Sequence, residues 1–349
     1  MHRLKKVARV LLRVLVVLLI SFVTAEVGLR IYNHFDPLPI FYDKSYNRFR
    51  GKPFAQTPGF RLNSKGFKDV EFQKEKKPGT FRILGIGDSF TYGSVPYVNN
   101  YLTLTEEKLN QQGANVELIN MGIPGTGPRE YLSLFVIEGL ELKPDMVLVS
   151  FFVGNDFTGE FETKRKLYTY SYVASLIYYL YSLHTKYEGI TKYTLVYHDD
   201  VPTFTDAAYL NIEKDRSQIF LKQNQAFGTL LDGAMSYLIK MKSICDEQKI
   251  SLVVVLLPDE LQVSRTLQAS VLQALTLTPD AMDLSLPNRL ISERLKQSGI
   301  DSIDLLSEFQ SAGEQKTLYR PNDSHWNIEG NKLAAEIITT ELHSRLKQN

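Results

Sequence analysis

FRILGIGDSF, residues 81–90, is the stretch on which the reading of this chain turns. Phe81 to Gly87 is a short apolar run closed by glycine, the pattern of a buried strand. Asp88-Ser89-Phe90-Thr91 follows at a sharp turn, which puts Ser89 at the strand tip and at the start of a helix. There its backbone N–H points outward, where it can bind an oxyanion. A serine in this place also commonly serves as a helix N-cap. The block is not a G-x-S-x-G elbow, because Thr91 stands at the second glycine. It is not a dinucleotide loop either, because Phe90 occupies the third glycine position after Gly85-x-Gly87.

Working outward, VELIN (116–120), DMVLVSFFVG (145–154), SLVVVLLP (251–258) and IDSIDLL (300–306) read as further strands. Between and after them, helical spacing runs over 100–112, 128–140, 218–248, 288–299 and 328–346, with Pro128 at a helix start and Gly113 at a stop. Strands alternating with helices predict an α/β domain whose parallel sheet is covered on both faces. In such sheets the site lies beyond the carboxyl ends of the strands.

Polar blocks stand at those ends. Asn120-Met121-Gly122 follows the second strand, and glycine there permits close backbone approach to a ligand, or simply makes a turn. Gly154-Asn155-Asp156 follows the third, where an Asn side chain donates into a site or caps a turn. Leu257 to Gln262 follows the fourth, making Gln262 a candidate substrate-positioning residue, with an ordinary loop as the alternative. Asp323-Ser324-His325-Trp326 precedes the last helix and contains the chain's single Trp. His325 suits a general base, because histidine as a residue type titrates near ~6.5. Asp323 can orient it and stabilise the imidazolium.

With these four blocks in order, the chain resembles the SGNH, or GDSL-type, hydrolase superfamily. GDSF supplies the serine, NMG the glycine, GND the asparagine and DSHW the histidine, over residues 81 to about 345. LNSKGFKDVEF (62–72) and the hydrophobic amino terminus also look like its membrane-anchored bacterial branch. The resemblance implies a flavodoxin-like three-layer α/β/α sandwich with a five-stranded parallel sheet. It implies Ser89 as nucleophile, His325 as base and Asp323 as acid. The Ser89 and Gly122 backbone N–H groups and the Asn155 amide would form the oxyanion hole. Asp88 and Trp326 join Gln262 as candidate substrate-positioning residues. The family needs no metal and no organic cofactor, and acts on carboxylic esters, often acetyl groups on carbohydrates. Its commonest pattern places Asp three residues before His, where this chain has Asn322. The D-x-H-W form of some branches, including relatives of polysaccharide O-acetyltransferases, assigns the acid to Asp323 instead.

Three functions follow as expectations. The first is an extracytoplasmic serine esterase or deacylase. The second is an O-acyltransferase that modifies an exported polysaccharide, with a sugar hydroxyl replacing water. The third is a non-catalytic sugar-binding module on the same fold.

The remaining sequence sets organisation and compartment. Residues 1–9 are basic, and Val10 to Leu29 is apolar except for Arg13 and Glu26. Twenty helical residues at 1.5 Å each span a ~30 Å hydrocarbon core, and the basic flank predicts a cytoplasmic start. A retained signal anchor, a signal peptide cleaved after Val23-Thr24-Ala25 and a buried helix of the soluble domain are the three readings, and the first two place the rest of the chain outside the cytoplasm. Residues 30–80 read as a juxtamembrane connector, with Phe41, Tyr42, Phe49, Phe54 and Phe60 suiting part of it to pack on the main domain, and 81–349 read as the hydrolase domain. A tyrosine-rich insertion at about 157–215 reads as a helical cap or as a substrate platform. A formal charge of +1 from 40 basic and 39 acidic residues gives no field for a polyanion, so nucleic acid is not expected as partner. The single cysteine, Cys245, forms neither an internal disulfide nor a Cys-based zinc site.

Overall fold

Phe81–Ile86 (β1) lies inside a five-stranded parallel sheet with Val116–Asn120 (β2), Met146–Phe152 (β3), Ser251–Leu257 (β4) and Asp301–Asp304 (β5), in the order β2-β1-β3-β4-β5. The computed structural model describes residues 2–36, 38, 40–41, 46, 50–57, 59–157, 167–186 and 197–347. These form two compact units, Met1–Arg48 with Glu162–Glu188, and Phe49–Phe161 with Gly189–Asn349. Pro37, Pro39, Tyr42, Phe49 and Pro58 of the connector, and residues 158–166 and 187–196 of the tyrosine-rich stretch, lie outside the described residues.

In the larger unit the register runs from Phe81↔Val116 across β1 and β2 to Val253↔Asp301 across β4 and β5. The central strands are buried along nearly their whole length, which is why they read as continuous Val/Ile/Leu runs. Because all five strands run the same way, their carboxyl ends open on one edge. Helices flank the sheet. Tyr101–Gln111 packs on β2 and on the closing helix Ile328–Leu346, while Phe227–Gln248 packs on β4 and on Pro128–Leu134. Local signals set the helix starts. Asn100 Oδ1 accepts from Leu102 N at 2.8 Å, and Asn327 Oδ1 accepts from Gly330 N at 2.9 Å.

Several expectations need correction. The helix expected over 128–140 stops at Leu134 and continues as a π turn, Phe135–Gly139, and a 3₁₀ turn, Leu140–Leu142. The helix expected from 218 begins at Phe227, because Leu221 is drawn into a bridge with Met282. Within the connector, residues 50–57 and 59–80 fall in the larger unit. Leu62, Phe67, Lys68 and Asp69 are buried there. The buried guanidinium of Arg82 donates to the carbonyls of Gln73 (3.0 Å), Lys74 (2.9 Å) and Leu142 (2.6 Å), tying this stretch to the sheet.

In the smaller unit His2–Phe35 is one helix, long and apolar enough within Lys5–Phe35 to cross a membrane; its most apolar 18 residues have mean hydropathy 2.4 and none of them is buried. The helix Tyr172–Lys186 packs on it.

Candidate active site

The turn after β1 presents the serine. Asp88 Oδ1 accepts from Phe90 N at 2.9 Å, so Asp88 caps the short helix Ser89–Tyr92 and leaves Ser89 at its first position. Gly87 is required, because a Cβ there would lie 2.0 Å from Thr91 Oγ1. Gly122 is required too: its Cβ would come within 2.2 Å of Tyr92 N, so the NMG block packs directly against the serine turn.

The histidine arrives on a loop closed before the last helix. Tyr319 bridges to Trp326, Arg320 N donates to His325 O at 3.0 Å, and Asn327 N donates to Leu318 O at 3.0 Å. This closure sets His325 Nε2 2.7 Å from Ser89 Oγ, and His325 Nδ1 2.6 Å from Asp323 Oδ1. With the proton on Nδ1, facing the carboxylate, Nε2 is the acceptor for the serine proton. The imidazole is 24% exposed, so it can be reached from solvent, whereas Asp323 is buried.

Asp323 is held from both sides. Its Oδ1 also accepts from the backbone N of His325 at 3.1 Å. Its Oδ2 accepts from Thr203 Oγ1 at 2.6 Å and Arg320 Nη1 at 2.9 Å. Burial works to raise the pKa of this carboxyl. The neighbouring His325, Thr203 and Arg320 overcome that and hold it well below the usual carboxylate range. Asn322, at the place of the commoner family acid, points away to Phe204 O (3.1 Å) and Asp206 Oδ1 (2.6 Å), with φ of 46°.

The expected oxyanion donors are less alike. Ser89 N lies at the amino end of its helical turn. Asn155 Nδ2 donates to Asp88 Oδ2 at 3.2 Å, which brings the GND block beside the serine. Gly122 N donates to Asn120 Oδ1 at 2.9 Å, so it serves an oxyanion only by sharing or releasing that bond. Gly154 leaves room for Asp259, whose Oδ2 would lie 2.3 Å from a Cβ there.

The three candidate substrate-positioning residues are all buried. Asp88 is fully buried and spends its oxygens on Phe90 N and the Asn155 amide; burial raises its pKa. Gln262 is 1% exposed; its Nε2 donates to Leu284 O and Asn288 Oδ1, and its Oε1 accepts from Asp259 N. Trp326 is 2% exposed and packs against Phe90, Tyr101 and Phe309.

Thr203, Arg320 and Arg216 were not singled out from the sequence. Arg216, on the helix Asp206–Arg216, pairs with the buried Glu213 at 2.9 Å and lies 3.9 Å from Asp259; its charge also acts on Asp88. Burial, then Asp259, pushes Glu213 well above the usual range. Glu260, whose pKa burial pushes up to about 7, pairs with the Tyr209 hydroxyl. A basic residue three before the acid is the one signal that could have pointed to Arg320. Among the described residues, no group of three or more His, Cys, Asp or Glu is placed to hold a metal ion.

Comparison with known proteins adds a match of residues 217–349 to the family model described as an SGNH hydrolase-like domain, acetyltransferase AlgX. No curated protein sequence matches the chain. Similar solved structures include an acetyl xylan esterase, AlAXEase (16% identity, 75% of this chain and 99% of that one, TM-score 0.44). Others are a putative lipolytic protein of the G-D-S-L family from Desulfitobacterium hafniense (15%, 74% and 98%, 0.40) and the acetylxylan esterase Axe2 from Geobacillus stearothermophilus (10%, 75% and 93%, 0.42).

Proposed function

Taking the chain as a member of the SGNH hydrolase superfamily, we propose that it transfers acyl groups through an acyl-enzyme on Ser89, acting on O-acetyl esters of a carbohydrate outside the cytoplasm. The observation that carries this is the relay from Ser89 Oγ through His325 to Asp323, with contacts of 2.7 and 2.6 Å. Ser89 Oγ attacks the ester carbonyl while its proton passes to His325 Nε2. Asp323 Oδ1 stabilises the imidazolium. Ser89 N–H and the Asn155 amide take the oxyanion, with Gly122 N–H as the third donor once its bond to Asn120 is shared. His325 then protonates the leaving sugar oxygen. Water releases acetate in the esterase reading, by the reverse use of the same base.

A second reading, O-acetyl transfer to an exported polysaccharide, is favoured by the acetyltransferase family model matched over 217–349. The same acyl-enzyme is then attacked by a sugar hydroxyl. We read the amino-terminal helix as a retained anchor. The helix runs unbroken from His2 to Phe35, straight through the Val23-Thr24-Ala25 sequence, which a peptidase would need to take in extended form.

The deciding experiment supplies an acetyl donor to the purified chain, with and without an acetylated or unacetylated oligosaccharide, and weighs the products. Free acetate in every case supports the esterase. An oligosaccharide gaining 42 Da, roughly one acetyl per acceptor, supports the transferase. Sugar binding without release or transfer of acetyl would refute both.

A further inference from the structure

We propose that the helix Tyr172–Lys186, from the tyrosine-rich insertion, lies at the membrane–water boundary with Ile177, Tyr178, Leu180 and Tyr181 set against lipid. This rests on the anchored reading of the amino-terminal helix.

The first observation is where this helix is fastened. Near the carboxyl end of the apolar helix, Glu26 accepts from Ser171 Oγ (2.8 Å), Tyr172 N (3.0 Å) and Val173 N (3.0 Å), so its carboxylate caps the amino end of the second helix. Arg30 locks the corner: it pairs with Glu26 at 2.6 Å, donates to Tyr170 O at 3.0 Å and stacks 4.5 Å over the Tyr172 ring. Phe41 stacks on the other part of that corner, 4.2 Å from Tyr172. The apolar stretch Val10 to Leu29 covers about 30 Å at 1.5 Å per residue, the thickness of the hydrocarbon core, with Glu26 in its last turn and Arg30 just past its end. With the basic start on the cytoplasmic side, Glu26 and Arg30 therefore fall at the outer boundary, and the second helix starts there.

The second observation is the surface that helix presents. From Tyr172 to Ser182 it carries no charged residue. Ser175 and Ser182, seven apart, are buried and mark the inner face. Ile177, Leu180 and Tyr181, at i, i+3 and i+4, form an exposed stripe at 62%, 56% and 69%, and Tyr178 beside them stacks on Tyr168. A stripe of this kind is costly against water. Tyr rings with apolar bodies and polar tips, beside aliphatic side chains, suit the headgroup level of a bilayer.

The test places the full chain, carrying C245A, in phosphatidylcholine–phosphatidylglycerol vesicles. Single nitroxide-labelled cysteines are introduced as I177C, Y181C, L15C and D301C. Collisions with oxygen, which concentrates in lipid, are compared with collisions with a water-soluble nickel chelate. Leu15 reports the membrane interior and Asp301 reports water. The proposal expects Ile177 and Tyr181 to favour oxygen over nickel, between those two references. Water-like values at 177 and 181 with lipid-like values at 15 would overturn it and leave the anchor intact. Labels at 177 and 181 shielded from both colliders would mean that a protein partner or a second copy covers the stripe, which also overturns it. A water-like value at 15 would overturn the anchored reading and this inference with it.

Discussion

Replacing Asp323 by Asn removes one charge and, through its neighbours, disables the base. Oδ2 of Asp323 is held by two donors, Thr203 Oγ1 and Arg320 Nη1. An Asn side chain must therefore keep its carbonyl oxygen toward them, because turning its NH₂ that way would face donor with donor. The NH₂ is then left pointing at His325 Nδ1. It can bond only to an unprotonated Nδ1, which fixes the ring proton on Nε2, the atom 2.7 Å from Ser89 Oγ. That tautomer cannot accept the serine proton. The expected loss in kcat is about 10³–10⁴, or about 4–5.5 kcal/mol of transition-state stabilisation. Hydrolysis of p-nitrophenyl acetate by the full chain measures it, with circular dichroism to show an unchanged fold. A variant within tenfold of wild type would refute the reasoning. So would recovery of activity in Asn322→Asp/Asp323→Asn, which would move the acid to the position of the commoner family pattern.

Other predictions follow from the same geometry. Asn155→Ala should lower kcat by about 10²–10³ with a folded chain, as for loss of an oxyanion donor; an unchanged rate would remove that role. Gly122→Ala should cost activity even if its N–H is unused, because the added Cβ meets Tyr92 N at 2.2 Å and must displace the serine turn; wild-type turnover would contradict the packing. Trp326→Phe should lower the melting temperature with KM within about twofold of wild type, as its burial predicts; a large rise in KM would restore a substrate-positioning role. Burial pushes the Asp69 carboxyl up to about 6, against the bonds from Asn120 N and the Tyr97 hydroxyl that favour its charge. Between the unfolded value and about 6 the folded state holds the extra proton, so this contribution is present at low pH and is lost as pH rises through 6. Asp69→Asn should therefore gain on wild type by on the order of 2–3 kcal/mol from pH 4 to 7 in urea melts.

The sheet was legible because fully buried parallel strands write themselves as short apolar runs bounded by polar blocks. Strand ends after 81–87, 116–120 and 251–258 needed no tertiary knowledge. Ser89 and His325 were legible for the same reason: strand and loop ends converge once all strands run in parallel. The direction of a polar side chain at such an end was not. Asp88, Gln262 and Trp326 sit in the right places along the chain, but their side chains turn inward and spend themselves on caps, carbonyls and neighbouring rings. Thr203 escaped because it comes from the insertion, where no periodicity marks a register, and its partner Asp323 is 120 residues away; Arg216 lies just beyond the insertion and meets Asp259 only through the tertiary fold. The split helix at 128–142 and the late start at Phe227 reflect tertiary packing overriding helical spacing.

The central claim is that Ser89 is an activated nucleophile. The most direct measurement treats the full chain in vesicles with a fluorophosphonate, then maps the adduct by mass spectrometry, with Ser89→Ala alongside. The account predicts a single adduct on the peptide carrying Ser89, absent in the variant and suppressed in His325→Ala. A folded wild-type chain that takes no label, or takes it elsewhere, would contradict the account.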